Sequence, residues 1–160
     1  MALREILKKD EELLRKKSRP VEKFDDRLAS LLDDMKETMK SANGCGLAAP
    51  QIGILRRIVV IEVPEDETDE NSNNVYFEII NPMYLKKEGE QHDYEGCLSC
   101  PGEFGITTRP EYVKIEAYDR FGKKFTLEGR GLLARAICHE MDHLDGILFI
   151  DHAEMVEVEE

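Results

Sequence analysis

The chain has 160 residues, enough for one domain that buries about two-thirds of its unfolded surface and needs no disulfide framework. Hydrophobic residues make up 41% and charged residues 35%, and no apolar run approaches the roughly 18 residues of a membrane span, so a globular protein outside the membrane is expected. The net charge of -12 argues against a direct nucleic-acid role, which needs a broad basic footprint. Met1 to Lys9 lacks the apolar stretch and cleavage site of a signal peptide, and a reducing cytoplasm is the expected location. There the four cysteines read as metal ligands, buried apolar groups or catalytic thiols rather than disulfide partners. Basic residues cluster at Lys8-Lys9 and Arg15-Lys16-Lys17, and acidic ones at 64–74 and 154–160, all read as solvated surface.

From the N-terminus, residues 22–41 carry Phe24, Leu28, Leu31, Leu32, Met35 and Met39 at helical spacing, which predicts a long amphipathic helix. A glycine-rich segment, 43–53, breaks that pattern, and 57–63 follows as an Ile/Val-rich strand. The composition of 64–74 is that of an exposed loop. Residues 75–80 read as a buried strand ended by Asn81-Pro82, and 112–118 alternate as a half-buried strand. The turn 119–122 sends the chain back through 125–127. From about Gly131 the period becomes helical, with Leu132, Leu133, Ala136, Ile137 and Leu144 apolar and Gly146 placed as a C-terminal cap. No internal repeat or linker is visible, and the order of elements predicts a single α+β domain over 1–160 with mostly antiparallel sheets.

The second helix contains His139-Glu140-Met141-Asp142-His143. Two histidines four residues apart share one helix face and can close on one metal ion, with Glu140 placed as a base for a metal-bound water. The same spacing also arises on ordinary amphipathic helices, so a third ligand is needed. Cys138 points about 100° away around the helix from His139, which favours core packing. Cys45 and Cys97 both lie beside glycines, where backbone can approach a ligand closely, and spacing does not choose among them and Cys100.

Three segments together are recognisable: GCGLAAPQ at 44–51, EGCLS at 95–99 and HEMDHLDG at 139–146. In this order and at these separations they resemble the peptide deformylases, and the opening Ile6-Leu7 to Ser18-Arg19-Pro20-Val21 is also similar, so the likeness covers nearly the whole chain. One departure is Cys138, where many members carry Gln. The resemblance implies antiparallel sheets packed around a central metal-binding helix, with Cys97, His139 and His143 as ligands. One thiolate and two imidazoles suit Zn(II) or Fe(II). The likeness implies Fe(II) as the physiological ion, with zinc or nickel as substitutes in preparations.

The implied reaction removes the formyl group from the N-terminal formyl-methionine of new polypeptides and releases formate. Glu140 would move the proton, and the Gln51 side chain and Leu98 N–H would hold the formyl oxygen. Formyl-methionyl nascent peptides would add like a strand beside Cys45, Gly46 and Gly96. Leu132 and Ala136 are assigned to the methionine pocket, with core packing as the competing reading. Asp142 is read as bracing the region near Arg109 or as solvated, and Glu95 as holding the Gly96-Cys97 turn or as a surface acid. Some relatives dock on the ribosome through a basic C-terminal helix, whereas this chain ends in an acidic tail, so contact would have to use another surface such as that near Arg15.

Three other readings compete. Cys97 and Cys100 with the two histidines would make a closed structural zinc site, but the gap from Cys100 to His139 far exceeds the dozen or so residues of a zinc finger. A zinc endopeptidase would take its third ligand from Asp145, His152 or Glu154, leaving EGCLS unexplained. A catalytically dead relative is disfavoured by the intact set of Gln51, Cys97, His139, Glu140 and His143.

Overall fold

The computed structural model describes residues 2–157. Helix α1 spans Asp26–Ser41 and starts where the Asp25 carboxylate accepts the Leu28 N–H at 3.1 Å. It is followed by β1 (Gly46–Ala48), β2 (Ile58–Pro64), β3 (Asn74–Glu88), β4 (Gln91–Cys97), β5 (Cys100–Arg109), β6 (Tyr112–Tyr118) and β7 (Lys124–Arg130). Helix α2 (Gly131–Leu144) and a short β8 (Glu154–Val156) complete the described chain. All pairings between these strands are antiparallel. One sheet has the order β1-β2-β3-β6-β7 and the other β4-β5-β8.

The five-stranded sheet separates the two helices. Along β2, Ile58 and Val60 pack with Leu28, Leu32, Met35 and Met39 of α1, while Val59, Ile61 and Val63 pack with Ala134, Ile137, Met141 and Leu144 of α2. Successive strand side chains face opposite ways, so covering both faces demands the unbroken apolar run that β2 carries. Each such fully buried aliphatic side chain contributes roughly 1.5–3 kcal/mol. Cys138 packs in the α2 layer, as its position around the helix implies.

Helix α2 ends at Asp145, and the following Gly146 has φ of 77° while the Ile147 N–H closes on the Asp142 carbonyl. A side chain at Gly146 would press on the Arg15 backbone, with a Cβ only 2.6 Å from its carbonyl carbon. The N-terminus of α2 has no side-chain cap from its own flank. Glu67, from the acidic loop after β2, reaches across to accept the Leu132 N–H at 3.2 Å.

Three expectations are corrected. α1 begins at Asp26 rather than at residue 22. The strand expected to stop at Asn81-Pro82 continues to Glu88, because the ladder with β6 shifts register between Ile80 and Met83 and Pro82 sits in that irregularity. The three-stranded sheet is the third, since the sequence pattern predicts no strand over 91–109. Of the acidic tail, Glu154–Val156 pairs with β5, and 158–160 lie outside the described residues.

Candidate metal centre and active site

Helix α2 carries His139, Glu140 and His143, and the β4–β5 hairpin brings Cys97 to the two histidines. One donor atom from each of Cys97, His139 and His143 lies within 4.8 Å of the other two. Cys97 Sγ is 3.4 Å from His143 Nε2. Neither Cys100 nor the downstream Asp145, His152 and Glu154 joins this group among the described residues. The Cys100 side chain instead packs with Leu148 and Phe149, and His152 Nε2 lies 3.6 Å from Asp142. The closed four-ligand site and the endopeptidase ligand set therefore have no geometric support.

A buried charge network orients the first histidine. His139 Nδ1 donates to Glu95 Oε1, which leaves Nε2 to face the donor group. Glu95 also accepts from Thr107 Oγ1 at 2.6 Å, Arg109 Nε at 3.2 Å and Arg135 Nη1 at 2.9 Å. Arg109 continues to Asp142 at 2.7 Å, and Arg135 to Gln91 Oε1 at 3.1 Å. Burial favours the neutral carboxyl of Glu95, but the His139 and Arg109 hydrogen bonds outweigh it and hold its pKa well below the usual carboxylate range. Glu95 is 7% exposed, which rules out a surface acid.

Opposite electrostatics meet at the two residues beyond it. Burial pushes the Glu140 carboxyl up to about 7 against the pull of His139, so the group can exchange a proton near neutrality. Burial and the neighbouring His139 both depress His143 and keep that imidazole neutral, the form that can donate a lone pair. Glu140 Oε1 and His143 Nδ1 are buried with no hydrogen-bond partner among the described residues. An unpaired carboxylate oxygen beside a thiol and two imidazoles fits a centre built to hold a cation and its reacting water.

A cavity of about 360 Å³ opens onto this group. Its lining includes Cys45, Gly46, Gln51, Gly96, Cys97, Leu98, Leu132, Ala136, His139 and Glu140, so every residue to which the resemblance gives a catalytic, metal or substrate role lies on it except His143, which is 1% exposed. Gln51 Oε1 accepts the Ala48 N–H at 2.9 Å, and its Nε2 is 3.1 Å from Ser99 Oγ and 3.6 Å from Cys97 Sγ. The Glu140 carboxylate lies directly against Gly46, where an added Cβ would come within 2.9 Å of Cδ. β1 and β4 are both edge strands, so each has one unpaired backbone edge beside the cavity. Tyr94, Phe104 and Arg135 also line it and had no sequence signal: exposed aromatics in an unassigned segment look like surface, and a lone Arg in an amphipathic helix looks solvated, whereas Arg135 is buried.

The fold and a candidate Cys/His metal site beside Glu140 fit a metal-dependent hydrolase of the HExxH type. The family model described as polypeptide deformylase matches residues 3–159, and the chain belongs to that family. It is 56% identical over 151 residues to the peptide deformylase of Caldicellulosiruptor bescii, covering 94% of this chain and 86% of that protein. To the peptide deformylase of Acetivibrio thermocellus it is 53% identical, over 94% of this chain and 84% of that one. The crystal structure of peptide deformylase from Ehrlichia chaffeensis in complex with actinonin superposes with a TM-score of 0.89 at 36% identity, covering 96% of this chain and 90% of that chain. The Legionella pneumophila enzyme gives 0.85 at 44% identity, over 96% and 87%. Like its family, this protein is a metal-dependent hydrolase that removes the N-formyl group from nascent peptides. No helix among the described residues is long and apolar enough to cross a membrane.

Proposed function

We propose that Cys97, His139 and His143 hold the metal, that Glu140 moves the proton, and that Gln51 and the Leu98 N–H bind the formyl oxygen, all within one catalytic domain over 1–160. The observation that carries this reading is the partnerless Glu140 oxygen lying beside three soft or borderline donors at the floor of a peptide-sized cavity. A metal with this ligand set supplies an acidified water and a Lewis acid, and we assign Fe(II) as the physiological ion, with Zn(II) or Ni(II) able to replace it.

Glu140 accepts a proton from the attacking water and returns it to the amine nitrogen as the C–N bond breaks. Gln51 Nε2, held by the Ala48 contact through its own oxygen, donates to the formyl oxygen as negative charge develops there. The extended formyl-methionyl peptide enters between the free edges of β1 and β4, beside Cys45, Gly46 and Gly96, and Leu132 and Ala136 receive the methionine side chain. Glu95 holds His139 in the tautomer that leaves Nε2 free. The enzyme acts in the cytoplasm, where formylated chains emerge. Arg15, which opens the basic stretch considered for ribosome contact, is paired with Asp151 at the surface.

The deciding experiment is anaerobic formate release from a formyl-Met-Ala peptide by the Fe(II)-loaded protein and its Glu140→Ala variant at matched metal content. A loss of about a hundred- to ten-thousandfold in kcat with metal retained is expected for a removed general base. Wild-type turnover in the variant would remove Glu140 from proton transfer.

A further inference from the structure

Cys100 is a buried nucleophile that the proposed mechanism leaves unused. It faces Cys97 in the register of the β4–β5 hairpin, across the two-residue turn Leu98-Ser99. Cys97 packs against the same small cluster that buries Cys100, and both thiols are free. Facing residues of an antiparallel ladder lie about 4.5–5.5 Å apart at Cα, inside the range that a disulfide spans. Cys97 lines the open cavity, whereas Cys100 is 1% exposed against Leu148 and Phe149. A small oxidant therefore meets Cys97 first, with Cys100 positioned behind it as a resolving thiol.

We propose that Cys97 and Cys100 form a reversible intramolecular disulfide with a peroxide as oxidant, and that this bond and the metal compete for the same Cys97 sulfur. The second half rests on Cys97 being a ligand, as argued above. The Cys97 sulfur attacks one peroxide oxygen, the O–O bond breaks, and a sulfenic acid forms with release of water. The Cys100 sulfur then attacks the Cys97 sulfur, the S–S bond forms, the S–O bond breaks and a second water leaves with the thiol proton. In sum two thiols lose two electrons to one hydrogen peroxide, giving one disulfide and two waters. A dithiol reductant reverses the step. Without Cys100 the sulfenic acid has no neighbour across the turn and proceeds to sulfinic and sulfonic acids, which a dithiol does not recover.

The test treats metal-free and zinc-loaded protein with hydrogen peroxide and reads intact mass, peptide maps and zinc affinity by competition with a chromogenic chelator. Metal-free wild type is expected to lose two hydrogen masses, to give a Cys97–Cys100 linked peptide and to lose zinc binding, with mass and binding both restored by dithiothreitol. Zinc-loaded protein should oxidise more slowly. Cys100→Ser and Cys100→Ala should instead gain oxygen masses on Cys97 that dithiothreitol leaves in place, and the two variants guard against a folding defect in either. Oxygen adducts on wild-type Cys97 at the rate seen in the variants, or a Cys45–Cys97 link, would overturn the disulfide. A linked Cys97–Cys100 protein that still binds zinc as before would leave the disulfide standing and remove both the competition and Cys97 as a ligand.

Discussion

On one side of His139 lie Glu95, Arg109, Arg135 and Thr107, all buried and hydrogen-bonded around Glu95, whereas on the other the cavity is bounded by the edges of β1 and β4 with Gly46 and Gly96 beside it. The first uses charge to hold one imidazole in one orientation. Such a network is favourable only when complete, since each group would be costly to bury alone. At the cavity front, a side chain at Gly46 would take the space of the Glu140 carboxylate, and one at Gly96 would press on Phe104. One wall of the site is thus specified by what its side chains bond, and the other by the side chains it lacks.

The strongest way to break this contrast is Glu95→Ala, which strands two buried guanidinium groups. Destabilisation of about 3–5 kcal/mol is expected in urea unfolding, as for other broken buried pairs. Metal affinity should also fall about 10- to 100-fold through the loosened His139. An unchanged unfolding midpoint would show that water substitutes for the carboxylate. Gln51→Leu acts at the boundary between the walls and should stay folded while formate release slows about a hundredfold, the usual cost of one oxyanion donor. Full activity would take Gln51 out of the reaction.

Gly46→Ala probes the front wall. Its methyl group would displace the Glu140 carboxylate, so kcat should fall by roughly tenfold or more at unchanged metal content. A normal kcat would mean that Glu140 has room to shift without penalty. The smallest effect belongs to Glu67→Ala, which uncaps the N-terminus of α2. A stability loss of about 0.5–1 kcal/mol is expected from thermal unfolding, and none at all would mean that solvent caps the helix equally well.

The two walls also differ in how far the sequence revealed them. The apolar spacing of 131–144 and the paired histidines place α2 and its reactive face, since both follow from a local 3.6-residue period. β2 and β6 were equally visible because their inward residues are aliphatic. β4 and β5 escaped notice because their inward residues include Glu95, Thr107 and Arg109, so the alternation of polar and apolar residues that marks a half-buried strand is missing. The reading of Glu95 as a surface acid and the reading of it as a brace were indistinguishable for the same reason. The far half of β3 was hidden by Pro82, which normally ends a strand but is accommodated here where the ladder slips.

By itself the sequence determined the helices, the central strands, the spacing of the two histidines and the three motifs that place the chain among the deformylases. The resemblance already pointed to Cys97, but residue spacing did not choose among the cysteines, and only the tertiary structure brings the Cys97 sulfur to the two histidines and closes Glu95, Arg109 and Arg135 into one buried network. The difference is physical. A helical or strand period is set by neighbours along the chain, whereas a charged residue can be buried only when partners from distant segments meet it, and those meetings exist only in the folded molecule.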